Sequence, residues 1–297
     1  MNIIITGMSG FVGQNLANYL AVHGHNVQGM SLRTESWSLP KNADAVIHLA
    51  GKAHDTSDTS EAESYFKINR DLTKTLFDQF LTANIRDFFY FSSVKAVTDS
   101  VEGILDESYK AQPHTPYGKS KLEAEKYLLS QPLPEYKRLF IIRPCMIHGP
   151  GNKGNLNLLY QIVQKGIPWP LASFQNHRSF LSIDNLNFLI LRMLEANVSP
   201  GTYNFADDSS LATNDVVKIM AAAACKKVKL WSVNKGLIAG LAKIGDMLKL
   251  PLTSERLRKL TENYIVSNMK IKKELGIDRL PVSTEDGLVK TLKSFQK

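Results

Sequence analysis

The chain opens on Asn2-Ile3-Ile4-Ile5-Thr6, a short and almost wholly apolar run that ends in a glycine turn. Such a run predicts a parallel strand buried on both faces. From Phe11 to His23 the apolar spacing becomes helical, with Val12, Leu16, Tyr19 and Leu20 on one side and Gly24 as the stop. A second strand is predicted over Asn26 to Ser31 and a third over Asp44 to Ala50. Only twelve residues separate Ser31 from Asp44, so the helix that usually joins such strands shrinks to a loop, Thr34 to Asn42. A long amphipathic helix follows from Ser64 to Leu81, then a strand from Asp87 to Phe91. The spacing next predicts a helix from Pro116 to Ser130, stopped by Pro132, and a strand from Leu139 to Ile142 that ends at Arg143-Pro144. Strands and helices in alternation, with short joints, predict the α/β class with a doubly wound parallel sheet.

Past Pro150 the texture changes. Glycine and proline punctuate Gly149 to Leu171, and helical stretches follow at Asp184 to Ala196, Asn214 to Cys225 and Gly236 to Leu250. The expected organisation is a dinucleotide-binding domain over 1–150, with a returning segment at about 179–205. A smaller, mainly helical substrate-binding lobe fills most of 151–297. No internal repeat interrupts this plan.

Composition narrows the classes. The chain has 297 residues, 43% hydrophobic and 22% charged, which excludes a disordered or collagen-like chain. Thirty-six basic against 28 acidic residues give a net charge of +8, scattered but mildly enriched towards the carboxyl end. That charge suits a soluble surface or an anionic small ligand; no motif or basic-aromatic stripe points to nucleic acid. No apolar run reaches the roughly 18 residues of a membrane span. Met1-Asn2-Ile3 lacks the basic start of a secretory signal. Cys145 and Cys225 form no disulfide framework, and His48, His54, His148 and His177 show no metal spacing. A cytoplasmic location and no bound metal are expected.

Thr6-Gly7-Met8-Ser9-Gly10-Phe11-Val12-Gly13 places glycines every third residue between a strand and a helix. Gly7 permits the turn, Gly10 lets backbone approach a pyrophosphate, and Gly13 lets the helix pack on the strand. The helix N-terminus then offers its N–H groups to phosphate. At the end of the second strand, an acidic residue would bind a ribose 2′-hydroxyl. Ser31-Leu32-Arg33 stands there instead, and serine with arginine suits a 2′-phosphate. NADP(H) is therefore favoured, with NAD(H) open.

Tyr117-Gly118-Lys119-Ser120-Lys121 sets Tyr117 and Lys121 four apart on one helix face. An ammonium beside a phenol is expected to lower the phenol's pKa and make it an acid–base group. Twenty-four residues earlier, Ser92-Ser93 ends a strand whose carboxyl end would face the cofactor crevice.

With these residues in place the chain resembles the extended short-chain dehydrogenase/reductases, within them the nucleotide-sugar epimerase/dehydratase group. The resemblance is carried by the Thr6–Gly13 loop, Asp44 to Gly51, Asn69, Ser92-Ser93, the Tyr117–Lys121 run, and Arg143-Pro144 followed by Gly149-Pro150. It implies a Rossmann-type sheet and a homodimer. It makes Tyr117 the acid/base, Ser93 the ligand of the reacting oxygen, and Lys121 a holder of the nicotinamide ribose. It places Leu49, Ala50, Gly51 and Pro144 along the cofactor, with Asn69 in support. Gly154-Asn155-Leu156 looks like the family's nucleotide-contacting segment. Arg178-Ser179-Phe180 looks like the segment whose arginine grips a diphosphate, and Arg256 or Arg258 could supply a second contact. Substrate-binding residues are thus expected at Ser93, Asn155, Leu156 and Arg178, and the ligand is a nucleotide-diphosphate sugar, with UDP favoured.

The 4,6-dehydratases of the group carry an Asp-Glu pair just after the residue that matches Ser93. Here Val94-Lys95 stands in its place, so that elimination lacks its acid and base. A 4-ketoreductase of UDP-linked sugars for polysaccharide assembly and a 4-epimerase with tightly held NAD remain. A non-catalytic NAD(P)-binding module is the competing class. Leu237, Leu241, Ile244 and Leu248, flanked by Lys235, Lys243 and Lys249, also form a helical stripe. Core or dimer packing is the ordinary use of such a stripe, and a lipid surface the other.

Overall fold

In the computed structural model, residues 1–34, 36–52, 62–152, 155–248 and 252–296 are described. The chain begins with β1 (Asn2–Thr6), α1 (Phe11–Val22), β2 (Asn26–Met30) and β3 (Ala45–His48). A long helical rod follows: α2 (Ala62–Tyr65), a wider π turn over Phe66–Asp71, and α3 (Leu72–Thr82). Then come β4 (Asp87–Phe91), a 3-10 turn at Val94–Ala96, β5 (Ile104–Leu105), α4 (Pro116–Ser130) and β6 (Arg138–Pro144). The rest comprises β7 (Met146–His148), α5 (Asn155–Gln164), β8 (His177–Ser182), α6 (Ile183–Glu195), β9 (Gly201–Phe205), β10 (Ser210–Ala212), α7 (Thr213–Ala223), α8 (Lys235–Leu248), α9 (Ser254–Thr261), β11 (Ile265–Val266), α10 (Met269–Leu275) and α11 (Thr284–Ser294).

Six strands form one parallel sheet in the order β2-β1-β3-β4-β6-β9. The order reverses at β1, where β2 lies on one side and β3 on the other, and such a switch point opens a ligand crevice at the carboxyl ends of the strands. β4 is buried along its whole length, as a central parallel strand requires. Its Phe89 stacks on Phe140 of β6, ring centres 4.6 Å apart. Asp87, at its buried start, is held by both nitrogens of Arg138 at 2.6 and 2.9 Å.

Among the described residues no helix joins β2 to β3, as the short interval predicts. The face it would have covered is closed by Trp37 and Leu39, which pack against the Val46, Phe77 and Phe80 cluster. Gln79 of α3 fastens this loop by accepting from Leu39 N and donating to the Trp37 carbonyl.

A second core gathers Tyr160, Trp169, Leu171, Val217, Met220, Ile238 and Leu288 from α5, α7, α8, α11 and the segments between. The chain crosses between the two cores more often than one boundary near residue 150 suggests. α6 packs on α1, β9 closes the main sheet, and Tyr264, Val266, Ile271 and Leu275 return to the main core. A three-stranded sheet, β10-β8-β7, and the β5–β11 pair stitch the two parts together above the strand ends.

Candidate active site

The glycine turn sits at the carboxyl end of β1. Gly7 has φ +73°, and a Cβ there would lie 2.7 Å from Ala50 N, so only glycine fits against the end of β3. A Cβ on Gly13 would fall 2.4 Å from the Gly7 carbonyl, which explains why the helix can pack so close to its strand. Gly10 precedes the first turn of α1 without a side-chain cap, so its amides stay available to a ligand. Ser9 is exposed, and Phe11 and Val12 are half-buried. Thr6 accepts from Ala50 N at 3.2 Å and pairs with His48 Nδ1 at 2.6 Å, while His48 Nε2 meets Thr73 at 2.9 Å. This chain of bonds fixes the Leu49-Ala50-Gly51 turn over the crevice. Burial pushes His48 down to about 3, so it is a neutral strut.

The π turn brings Asn69 inward. Its side chain is fully buried, accepts from Lys52 N at 2.7 Å, and donates to the Lys52 carbonyl and to Ser120 Oγ, both at 3.1 Å. A Cβ on Gly51 would stand 2.9 Å from Asn69 Oδ1 and 3.3 Å from Lys121 Nζ. Gly51, Asn69 and Lys121 therefore meet at one point beside the strand ends. Ser31 and Arg33 are exposed beyond β2, and the Ser31 hydroxyl accepts from the Arg33 amide at 3.3 Å. Pro144 is buried at the end of β6, in register with Phe205.

Ser93 and Tyr117 come together: the Ser93 hydroxyl lies near enough to the Tyr117 phenol to act on its pKa. Ser93 also caps the 3-10 turn, accepting from Lys95 N at 3.2 Å. Thr115 caps α4 and Pro116 starts it, which sets Tyr117 in the first turn facing the strand ends. The Tyr65 ring meets Tyr117 edge-on at 6.1 Å. One expectation is corrected here. The phenol is not lowered by Lys121; burial raises it, and Ser93 only partly opposes that rise. The reason is placement. The Lys121 ammonium is buried and donates to the Phe91 carbonyl at 2.8 Å, with Tyr90 below it at 5.0 Å. Burial lowers Lys121 itself to about 8, against the pull of Glu125.

Glu125 is buried one turn further along α4 and forms a two-pronged ion pair with Arg143 at the end of β6. This pair ties the helix carrying Tyr117 and Lys121 to the strand end. The sequence reading missed it, although Lys121 and Glu125 share the four-residue spacing of one helix face. It also missed the Lys52–Asn69–Ser120 clasp, because a π turn leaves no mark in apolar periodicity.

On the substrate side, Arg178 of β8 donates to the Lys259 carbonyl at the end of α9. Lys95 lies in the same region. It donates to the Asp99 carbonyl at 2.9 Å, sits over the Tyr264 ring at 4.2 Å, and is lowered by burial to about 8. Asp99 is already engaged by His114 N, Thr115 N and Thr115 Oγ1 at the start of α4. Leu156 departs from the expected substrate role: its side chain belongs to the second core. Asn155 begins α5. Gly154 and His54 lie outside the described residues. Arg256 and Arg258 are exposed on α9, and Arg258 faces Glu262 at 3.6 Å. A shallow cleft lined by Asn2, Ile4, Asn26 and Lys41 opens at the opposite, amino end of β1, away from all of these groups.

Residues 3–206 match the NAD-dependent epimerase/dehydratase family, which takes in the glycine turn, Ser93, Tyr117 and Lys121. The chain belongs to that family. It is 28% identical over 328 aligned positions to a UDP-glucose 4-epimerase of Vibrio cholerae, covering 99% of this chain and 95% of that protein. It is 26% identical over 241 positions to a GDP-6-deoxy-D-mannose reductase of Pseudomonas aeruginosa, covering 74% and 79%. The fold matches a solved structure of RMD from Pseudomonas aeruginosa complexed with NADPH, with a TM-score of 0.75, 20% identity, and 99% and 98% of the two chains covered. The chain is thus an NAD(P)-dependent enzyme of the extended short-chain dehydrogenase/reductase group, related to nucleotide-sugar epimerases and reductases. Its glycine-only approaches at Gly7 and Gly51 and the uncapped amides of α1 fit a dinucleotide. No described helix is long and apolar enough to cross a membrane.

Proposed function

We propose that this enzyme works at C4 of a nucleotide-diphosphate sugar, as a 4-reductase acting on a UDP-linked 4-keto-sugar with NADP(H), in the assembly of polysaccharide precursors. The observation that carries the reading is the nearness of Ser93 to Tyr117 at the strand ends, beside the point where Gly51, Asn69 and Lys121 meet. When bound, the nicotinamide supplies the hydride. Tyr117 gives its proton to the C4 oxygen as that oxygen gains charge, and Ser93 donates a hydrogen bond to the same atom. The phenol carries its proton in the free enzyme, the state from which a keto oxygen is protonated, while burial makes it a weaker acid than a free tyrosine. Lys121 orients the nicotinamide ribose, and the Gly7–Gly13 turn with the start of α1 receives the pyrophosphate. Ser31 and Arg33, exposed just beyond β2 and able to bind a 2′-phosphate, support NADP(H). Arg178, a permanent cation with a bidentate fork, takes the sugar's diphosphate.

Val94 and Lys95 supply no carboxylate pair for elimination across C5 and C6. A second reading, the 4-epimerase, is favoured by the Vibrio cholerae relative. It would use Tyr117 and Ser93 on both passes of the hydride. Mass spectrometry of the purified enzyme under native conditions, followed by a panel of UDP- and dTDP-linked 4-keto-sugars with NADPH, separates the two. The reductase reading expects no retained dinucleotide and steady consumption of NADPH. Stoichiometric retained NAD, with interconversion of 4-epimers and no net consumption, would establish the epimerase instead.

A further inference from the structure

The apolar stripe of α8 is not core. Ile238, Ala242 and Gly245 face inward, but Leu237, Leu241, Ile244 and Leu248 lie on the adjoining arc and are open to solvent. Leu237 is 59% exposed, Leu248 66% and Met247 82%. Trp231, just before the helix, is 56% exposed. This helix therefore exposes an apolar stripe beside the one it buries, an arrangement that marks an interaction surface.

The charge around it is mostly of one sign. Residues 226–248 hold five lysines (226, 227, 229, 235 and 243) and a single acid, Asp246, giving +4, half the net charge of the chain. All five lysines are exposed, with the Lys235 ammonium over the Phe174 ring at 5.5 Å and the other four without such a ring partner among the described residues. Asp246 is occupied: its carboxylate accepts from Ser254 N at 2.9 Å and caps the turn into α9. A second copy of the chain pairing through this face would set +4 against +4, which opposes a symmetric contact. A surface both apolar and anionic satisfies the leucines, the tryptophan and the lysines at once.

We propose that α8 and the lysine-rich segment before it dock on an anionic phospholipid bilayer, with the leucine stripe and Trp231 seated at the headgroup boundary and the lysines against lipid phosphates. α8 packs on α9, and the end of α9 receives Arg178. Docking would therefore hold the substrate side of the enzyme near the bilayer. The inference stands on the surface alone, so it survives or fails separately from the reaction proposed above.

The test is co-sedimentation of the full-length protein with vesicles of pure phosphatidylcholine or of phosphatidylcholine with 30% phosphatidylglycerol, at about 50 mM and 500 mM salt. The wild type is expected to sediment with the anionic vesicles at low salt and to be released at least tenfold at high salt, with little binding to the neutral ones. Leu241→Glu with Ile244→Glu should lower vesicle affinity by tenfold or more while NADPH binding, read by fluorescence, is unchanged. Lys226→Glu with Lys227→Glu should weaken binding to anionic vesicles without any repacking of the helix, and so serves if the first variant misfolds. Wild-type protein that stays in the supernatant with every vesicle would overturn the proposal. So would lysine variants that sediment like wild type, or a Leu241→Glu/Ile244→Glu protein whose only change is a smaller particle by sedimentation velocity.

Discussion

At the scale of single residues, Tyr117 shows how burial and a charged neighbour compete. The four-residue spacing to Lys121 is legible in sequence, but the direction of the phenol's shift is not, because spacing does not say where an ammonium points. Lys121 directs its ammonium to the Phe91 carbonyl, and burial then governs both groups. Arg33 poses a separate question of ligand choice. With its side chain exposed beyond β2, truncation leaves the packing intact and removes only charge. Arg33→Ala should weaken NADPH by roughly tenfold or more, the worth of one charge-assisted hydrogen bond, while leaving NADH nearly unchanged. Equal losses for the two dinucleotides, in parallel fluorescence titrations, would reverse the cofactor preference.

Among elements, β1, β3, β4 and β6 follow closely from their apolar runs, which they bury against their neighbours, and α1, α3 and α4 follow from their helical spacing. The π turn at Phe66–Asp71 does not, since one widened turn changes no residue type. Yet that turn delivers Asn69 to Lys52, Ser120 and the edge of Gly51. Gly51→Ala tests the meeting point. The added methyl would press on Asn69 Oδ1 and Lys121 Nζ, so NADPH affinity should fall by roughly tenfold, a cost of about 1.4 kcal/mol. The thermal midpoint should also fall somewhat, because the buried Asn69 must shift to admit the methyl. Unchanged affinity would mean that the cofactor does not pass this point. The short strands β5, β7, β10 and β11 escaped the sequence reading for a similar reason: two or three residues carry no period.

For the molecule as a whole, the change of texture after Pro150 suggested a two-part plan, but it gave no sign of the repeated crossings between the buried clusters. They depend on long-range contacts, such as Tyr264 reaching the carbonyls of Val94 and Thr98. Stability against acid should trace to His48, locked neutral between Thr6 and Thr73. Its folded pKa is about 3 against 6.5 unfolded. The unfolded chain therefore binds the proton first, and stability is full above pH 6.5 and falls as pH drops towards 3. Between pH 6.5 and 5 the loss should be between about 1 and 2 kcal/mol by urea unfolding. His48→Gln should flatten that slope, and an equal slope in the variant would remove His48 from the explanation.

The account rests on a phenol and a serine meeting one sugar oxygen while hydride reaches the carbon that bears it. Following deuterium from NADPH labelled at the nicotinamide C4, in wild type and in Tyr117→Phe, measures this directly. We expect the label at sugar C4 of the product in the wild type. In the variant the transfer rate should fall by roughly 100- to 10,000-fold with NADPH affinity retained. Label at any other carbon, or a variant that transfers it at the wild-type rate, would contradict the account.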